Sequence, residues 1–329
     1  MPDPAGEIVA RQSISRYYAR RGARVEPDRI VLTASTSEAY SHLFKLICDA
    51  GDEILVPVPS YPLFEYLAGL ECVRVVPFHL RYDGTWHIDF ADLRQKITNR
   101  SKAVIVVNPN NPTGSFLKRS EARELLKVAC EYEMPLISDE VFADYAFASD
   151  AERVETLSGE EEALVFCLNG LSKSMVMPQL KLGWIVVSGP LPRIAEALRR
   201  LELVLDTYLS VSTPVQRALP VLFDIGEKLQ AELRSRLLKN LDTLRVSLRD
   251  SPVSLLNVEA GWSAILQVPS TRSEEDWLIA LLEEERVIAQ PGFFFDMPSE
   301  AFLVLSLITP SVELEAGVVR LHDLIARHA

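Results

Sequence analysis

Lys102-Ala103-Val104-Ile105-Val106-Val107-Asn108-Pro109-Asn110-Asn111-Pro112-Thr113-Gly114 is the stretch on which the fold turns. Residues 103–107 are apolar without interruption and mostly β-branched. Such a run reads as a strand buried on both faces, as a parallel sheet covered by helices requires. The seven residues that follow hold three asparagines, two prolines and a glycine, which reads as a turn cluster. In open α/β sheets ligands collect just beyond the carboxyl ends of strands. The same cluster is therefore a candidate binding loop.

Outward from this stretch, short β-branched runs alternate with helical patterns. Strands are predicted at 29–33, 53–57, 72–77, 102–107, 135–138, 164–167 and 182–187, with amphipathic helices at 37–49, 120–132 and 191–205. This alternation predicts an α/β fold, a mainly parallel sheet of seven strands with helices on both faces. After about Asp224 the texture changes. A long charged helix over 227–249, strands near 253–256, 263–268 and 302–306, a helix over 273–285 and a last helix from Val312 predict a small α+β C-terminal domain. The expected division is a short N-terminal segment 1–25, a large domain 26–225 and a small domain 226–329. Length agrees, since 329 residues is about two domains of ordinary size. No repeat, low-complexity tract or flexible linker separates the parts.

Composition removes several function classes. Hydrophobic residues make up 48% of the chain, enough for a sizeable core. With 34 basic against 46 acidic side chains, the net charge of −12 argues against a surface for nucleic acid, which is held by clustered Lys and Arg. Apolar runs fall far short of the roughly 20 residues a membrane-spanning helix needs. The opening Met1-Pro2-Asp3-Pro4 has neither the basic nor the apolar region of a signal peptide, so a cytoplasmic protein without membrane partners is expected. Cys48, Cys72, Cys130 and Cys167 lie in apolar segments without CxxC spacing and read as small buried hydrophobes. The five histidines form neither HExxH nor an i, i+4 pair, so no metal site is expected.

The chemistry-bearing residues lie at strand ends. Ala34-Ser35-Thr36-Ser37-Glu38 opens a helix, Pro59-Ser60-Tyr61-Pro62 follows the second strand, and Asp139-Glu140-Val141-Phe142 follows the fifth. Asn169-Gly170-Leu171-Ser172-Lys173 follows the sixth, with Lys181-Leu182-Gly183 eight residues beyond that lysine. Each has a structural reading of its own. Ser35 can cap its helix, Asp139 can be a helix N-cap, Tyr61 can pack in the core and most lysines are solvated. Together and in this order they resemble the class I/II aminotransferase family, the aspartate aminotransferase-like branch of the fold-type I pyridoxal-phosphate enzymes. The likeness covers nearly the whole chain and is strongest in NPxNPTG and the SK…KLG element.

That resemblance implies a fold and a chemistry. It implies pyridoxal 5'-phosphate as cofactor, with Lys173 as the Schiff-base lysine that moves the substrate's Cα proton. Asp139 would keep the ring nitrogen protonated, Asn111 would donate to the ring oxygen, and Tyr61 would stack on the ring. Ser35, Thr36, Ser37 and Lys181 would hold the phosphate, and Ser172 and Phe142 would lie against the cofactor. Amino acids and 2-oxo acids would be the substrates, and a homodimer the working form. Four positions depart from the family pattern. Lys181 replaces an arginine and loses its bidentate fork. Phe142 replaces a tyrosine that donates to the ring oxygen. Val304, in Phe302-Leu303-Val304-Leu305-Ser306, stands where an arginine clamps the substrate carboxylate, and Arg320 lies too far along to take its place. The chain also opens close to the segment Pro4-Ala5-Gly6, where relatives carry some tens of residues more, so its first 25 residues read as a truncated N-terminal segment. A decarboxylase or C–S lyase on the same scaffold, or an aminotransferase-like chain without activity, are the alternative readings.

Overall fold

The computed structural model describes residues 3–209 and 211–328. In chain order the first part contains α1 (Ile8–Arg20), β1 (Ile30–Thr33), α2 (Thr36–Ile47), β2 (Glu53–Val58), α3 (Leu63–Leu70), β3 (Arg74–Tyr82), β4 (Trp86–Ile88), α4 (Phe90–Lys96) and β5 (Ser101–Val107). Then come α5 (Arg119–Glu131), β6 (Leu136–Asp139), β7 (Val165–Gly170), α6 (Leu171–Ser174), β8 (Gly183–Ser188) and α7 (Leu191–Tyr208). The last part holds α8 (Thr213–Ser247), β9 (Ser254–Leu255), β10 (Ser263–Gln267), α9 (Glu274–Glu285), β11 (Gln290–Pro291), β12 (Phe302–Ser306) and α10 (Ser311–His328).

Eight strands form the large sheet in the order β1-β8-β7-β6-β5-β2-β3-β4. The five from β7 to β3 run parallel, whereas β8, β1 and β4 join antiparallel. All seven predicted strands are present, and the additional one, β4, is a hairpin return paired with the end of β3. The six strands from β1 to β2 in that order are buried on both faces because successive side chains serve different helix layers, whereas much of β3 is exposed. Leu32, Leu55, Val104, Val106, Leu136, Val165 and Val186 pack with Ile14 and Tyr18 of α1, Leu125 of α5 and Phe223 of α8. Their neighbours Val31, Ile54, Ala103, Ile105, Ile137, Phe166 and Ile185 pack with Leu43 of α2, Phe64 of α3 and Leu201 of α7 on the other side. Each such aliphatic side chain adds about 1.5–3 kcal/mol relative to an exposed one, so the apolar runs themselves select this two-faced arrangement.

A second, antiparallel sheet follows in the order β11-β12-β10-β9. One of its faces, with Leu266, Leu303 and Leu305, packs on Leu237 and Leu244 of α8, Trp277 of α9 and Leu321 of α10. Ile265 and Val304, opposite one another in register, belong to the core of the large sheet's side. α8 starts well before the predicted 227, contains Pro214 and Pro220, and runs through the expected division at 225/226. Pro214 sits in its first turn, where no N–H is needed, while Pro220 lies inside and offers no N–H to the carbonyl of Gln216. α1 was legible only as part of a terminal segment. It buries Ala10, Ile14, Tyr17 and Tyr18, the spacing of one helix face. The cysteines differ from expectation: Cys167 is buried, but Cys72 and Cys130 are exposed, one in the turn after α3 and one on the polar face of α5.

The two sheets are joined along residues 142–147. Gly261 N–H donates to Tyr145 O at 3.1 Å, and Phe147 N–H to Glu259 O at 2.9 Å. Gly114 touches this seam from the other side. Its φ is +67°, and a Cβ there would stand 2.3 Å from Ala260 O and 2.4 Å from Val258 Cγ2. Glycine is required on both counts. Gly114→Ala should therefore lower stability in urea denaturation by roughly 2–5 kcal/mol, the left-handed penalty plus overpacking.

Candidate active site

One edge of the large sheet gathers the polar residues. Gly170 at the end of β7 faces Gly183 at the start of β8, which in turn faces Thr33 at the end of β1. Asp139 ends β6 opposite Val107 of β5 and Leu168 of β7. Ser35–Ser37, Tyr61, Asn111, Asp139, Phe142, Ser172, Lys173 and Lys181 all sit on segments that leave or enter the sheet at this edge. Close backbone approach brings them together. A Cβ on Gly183 would stand 3.0 Å from the carbonyl carbon of Ser35, 3.1 Å from Thr33 Oγ1 and 3.2 Å from Asn169 O.

The start of α2 is capped there. Ser35 Oγ accepts from Glu38 N–H at 3.1 Å, and the Glu38 carboxylate accepts from Ala34 N–H. Ser35 thus does cap its helix. What remains for an anion is its hydroxyl hydrogen, the first-turn N–H groups and the hydroxyls of Thr36 and Ser37. Lys181 is exposed, in the left-handed region at φ 50°. The adjacent Leu182 O accepts from Leu171 N–H at 2.9 Å, which ties the Lys181 loop to the turn carrying Lys173.

Lys173 lies half-buried on the single turn α6, beside half-buried Ser172. Tyr145 Oη donates to Lys173 O at 2.7 Å, and Gln230 of α8 donates to Ser174 O, so the turn is held from two sides. Burial pushes the amine below the ordinary lysine range, with the charge of Asp139 acting against it. Asp139 is buried. Its Oδ2 accepts from Tyr40 Oη at 3.0 Å and its Oδ1 from Val141 N–H at 3.2 Å. Burial pushes the carboxyl up to about 6, although both donors and Lys173 favour its charged form.

The asparagine cluster divides its labour. Asn108 binds Leu117 N–H at 3.0 Å and Val154 O at 2.9 Å, and Asn110 donates to Pro59 O at 3.0 Å and Thr113 Oγ1 at 2.9 Å. These two shape the turn. Asn111 instead accepts from Ser263 Oγ of β10 at 3.2 Å, and among the described residues its amide nitrogen has no hydrogen-bond acceptor. Tyr61, just after β2, keeps 48% of its surface open to solvent. Ser60 N–H donates to Phe295 O at 2.9 Å, which joins that loop to the second sheet.

Trp262 escaped the sequence reading because nothing in its spacing distinguishes it from a core aromatic. Its ring centroid is 5.3 Å from Lys173 Nζ, and Phe142 and Tyr145 meet it edge-on at 5.3 Å and 5.2 Å. Phe142, which has no hydroxyl to give, thus supports this wall. Three buried polar atoms lack partners in these segments: Trp262 Nε1, Asn110 Oδ1 and Ser60 Oγ. Buried orphans are uncommon and mark places where a ligand can complete the bonding. Val304 is buried within an apolar cluster, facing the same side as Ile265. No arginine fork exists at its position.

A half-buried amine with a lowered pKa, a buried carboxylate and a hydroxyl-rich helix start lie together at one end of the sheet, the makings of a candidate site for chemistry on an amine. Relatives agree with that class. The family model described as aminotransferase class I and II matches residues 1–321. The chain is 28% identical to an alanine aminotransferase of Mycobacterium tuberculosis, over 99% of this chain and 78% of that protein. It is 30% identical to a glutamate–pyruvate aminotransferase of Escherichia coli over 66% of this chain and 54% of that one. The structure of an alanine aminotransferase from Pyrococcus furiosus superposes with a TM-score of 0.88 at 26% identity, covering 99% of this chain and 83% of that chain. The chain belongs to the class I and II aminotransferases, a family that generally depends on pyridoxal phosphate.

The raised Asp139 carboxyl has a consequence for stability. The folded protein holds that proton more tightly than the unfolded chain, whose aspartate titrates near 3.8. The contribution of Asp139 to stability therefore falls as pH rises from about 4 to about 6 and is level above. In the absence of cofactor, Asp139→Asn should stabilise the protein at pH 8 by about 1–3 kcal/mol, with the gain gone below about pH 4. Urea denaturation at the two pH values measures it.

Proposed function

We propose that the chain binds pyridoxal 5'-phosphate at Lys173 and exchanges the amino group of an amino acid with the oxo group of a 2-oxo acid, as a homodimer in the cytoplasm. The observation that carries this reading is the half-buried Lys173 amine of lowered pKa, with the buried Asp139 as the charge that bears on it. Bound pyridoxal phosphate supplies an electrophilic aldehyde and an electron-accepting ring. The protein's residues supply the rest. The N–H groups and hydroxyls of Ser35, Thr36 and Ser37, with Lys181 as point charge, would hold the phosphate. Asp139 would hold the proton on the ring nitrogen, Asn111 would donate to the ring oxygen, and Tyr61 would cover a ring face, with Phe142 and Ser172 alongside. Burial favours the neutral form of the Lys173 amine, the form that can take the proton from substrate Cα and return it elsewhere.

Several features support the remaining parts. Tyr61, Phe293 and Phe294 are about half-exposed near the Ser60–Phe295 contact. Apolar surface at such a place suits cover by a second copy. Among the described residues no helix is long and apolar enough to cross a membrane. The related proteins are named for alanine, for glutamate and pyruvate, and for tyrosine, so the amino-acid and 2-oxo-acid class fits all of them.

The test is spectroscopic and chemical. Protein incubated with pyridoxal phosphate should gain a visible absorbance band that bleaches on addition of an amino donor, and borohydride should fix a pyridoxyl group on Lys173 in peptide maps. No band, or label on Lys181 instead, refutes the assignment. Lys173→Ala should lower turnover by about 10²–10⁴-fold, the usual contribution of a proton-transferring group.

A further inference from the structure

The two oxygens of Asp139 are held by different parts of the protein. Oδ1 accepts from Val141 N–H, two residues on, a turn bond that Asp or Asn makes with its own backbone. Oδ2 accepts from Tyr40, 99 positions away in sequence. Tyr40 stands on α2, within a turn of the residues that cap that helix, and is only 3% exposed. Its ring meets Phe64 edge-on at 5.3 Å and 82° and lies tilted on Phe44 at 5.9 Å. A ring wedged between two others holds its hydroxyl at one point. That hydroxyl keeps its proton at any working pH, because burial and the neighbouring Asp139 push it well above the usual tyrosine range.

We propose that Tyr40 is a positioning residue for the cofactor: its hydroxyl fixes the Asp139 carboxylate in one orientation and holds it in the charged form that keeps the ring nitrogen of pyridoxal phosphate protonated. The proposal rests on the reading of the site given above. Among the described residues the groups that bear on Asp139 are few. Glu140, next in the chain, opposes its charge, and Lys173 on the turn after β7 favours it. Tyr40 provides the one side-chain hydrogen bond to it. A donor to the ionised form of a buried carboxylate is worth more than the same bond at a surface, since the alternative is an unpaired charge out of water. The arrangement also couples two requirements of one ligand. The helix whose first turn can cradle a phosphate is the helix whose tyrosine orients the carboxylate meant for the ring.

Tyr40→Phe removes the hydroxyl and keeps the packed ring. In cofactor-free protein labelled with ¹³C at aspartate carboxyls, the Asp139 resonance is the one missing from Asp139→Asn. Its titration midpoint should rise by about one pH unit or more in Tyr40→Phe. With pyridoxal phosphate added, the acid limb of the kcat–pH profile should move to higher pH, with kcat near neutrality down about tenfold and KM for the amino donor nearly unchanged. Should Tyr40→Phe fold poorly, replacing the tyrosines by ring-fluorinated tyrosine strengthens the donor and should move the midpoint the other way. An unmoved midpoint overturns the proposal. A moved midpoint with an unmoved acid limb overturns it as well, because the link to the cofactor is then absent. A parent protein that takes up no pyridoxal phosphate refutes the reading of the site, and the cofactor-free titration alone then decides whether Tyr40 controls Asp139.

Discussion

A carboxylate out of water at the end of an apolar strand is the constraint around which this molecule is organised. Asp139 completes β6, whose other residues are buried between two helix layers. Isolated burial of a charge costs more than a domain can tolerate, so every group near it has to answer to it. The Val141 N–H, the Tyr40 hydroxyl and the Lys173 amine do so from three separate segments. Even with their help the carboxyl releases its proton only near 6. The residual strain is the kind that a cationic ligand relieves, which is why stability without a ligand and readiness for one stand in opposition here.

The large sheet was legible because its signal is strong and local. Runs such as 103–107 and 184–187 are apolar at every position, and few structures other than a doubly covered strand accommodate them. What escaped was built from weaker or longer-range signals. β4 is three residues long and exists only as the partner of β3. α1 carries Arg11, Arg16 and Arg20 among its apolar positions, and its buried face emerges only with α8 and β1 in place. α8 contains a proline where a pattern reading ends a helix, yet packing along its flanks carries it through.

The candidate site shows the same division. Lys173, Asp139, Asn111 and Ser35–Ser37 stand at strand ends, where position alone draws notice. Tyr40 and Trp262 do not. Tyr40 sits on the buried face of an amphipathic helix, where an aromatic is ordinary, and only the sheet order places its hydroxyl beside Asp139. Trp262 precedes a strand of the second sheet and reaches Lys173 only because the seam at 142–147 brings the two sheets into register. Spacing along the chain carries no trace of either encounter.

Asn111, in the loop after β5, and Trp262, against the Lys173 amine, both answer to the small sheet. Ser263, which holds the Asn111 carbonyl oxygen, is the residue next to Trp262. Any rotation of the small sheet against the large one must therefore carry a ring across the lysine and pull on an amide in the same movement. Posture and recognition are one variable in such a molecule. A ligand that prefers a particular place for the amide would, without touching the small sheet, bear on where that sheet sits.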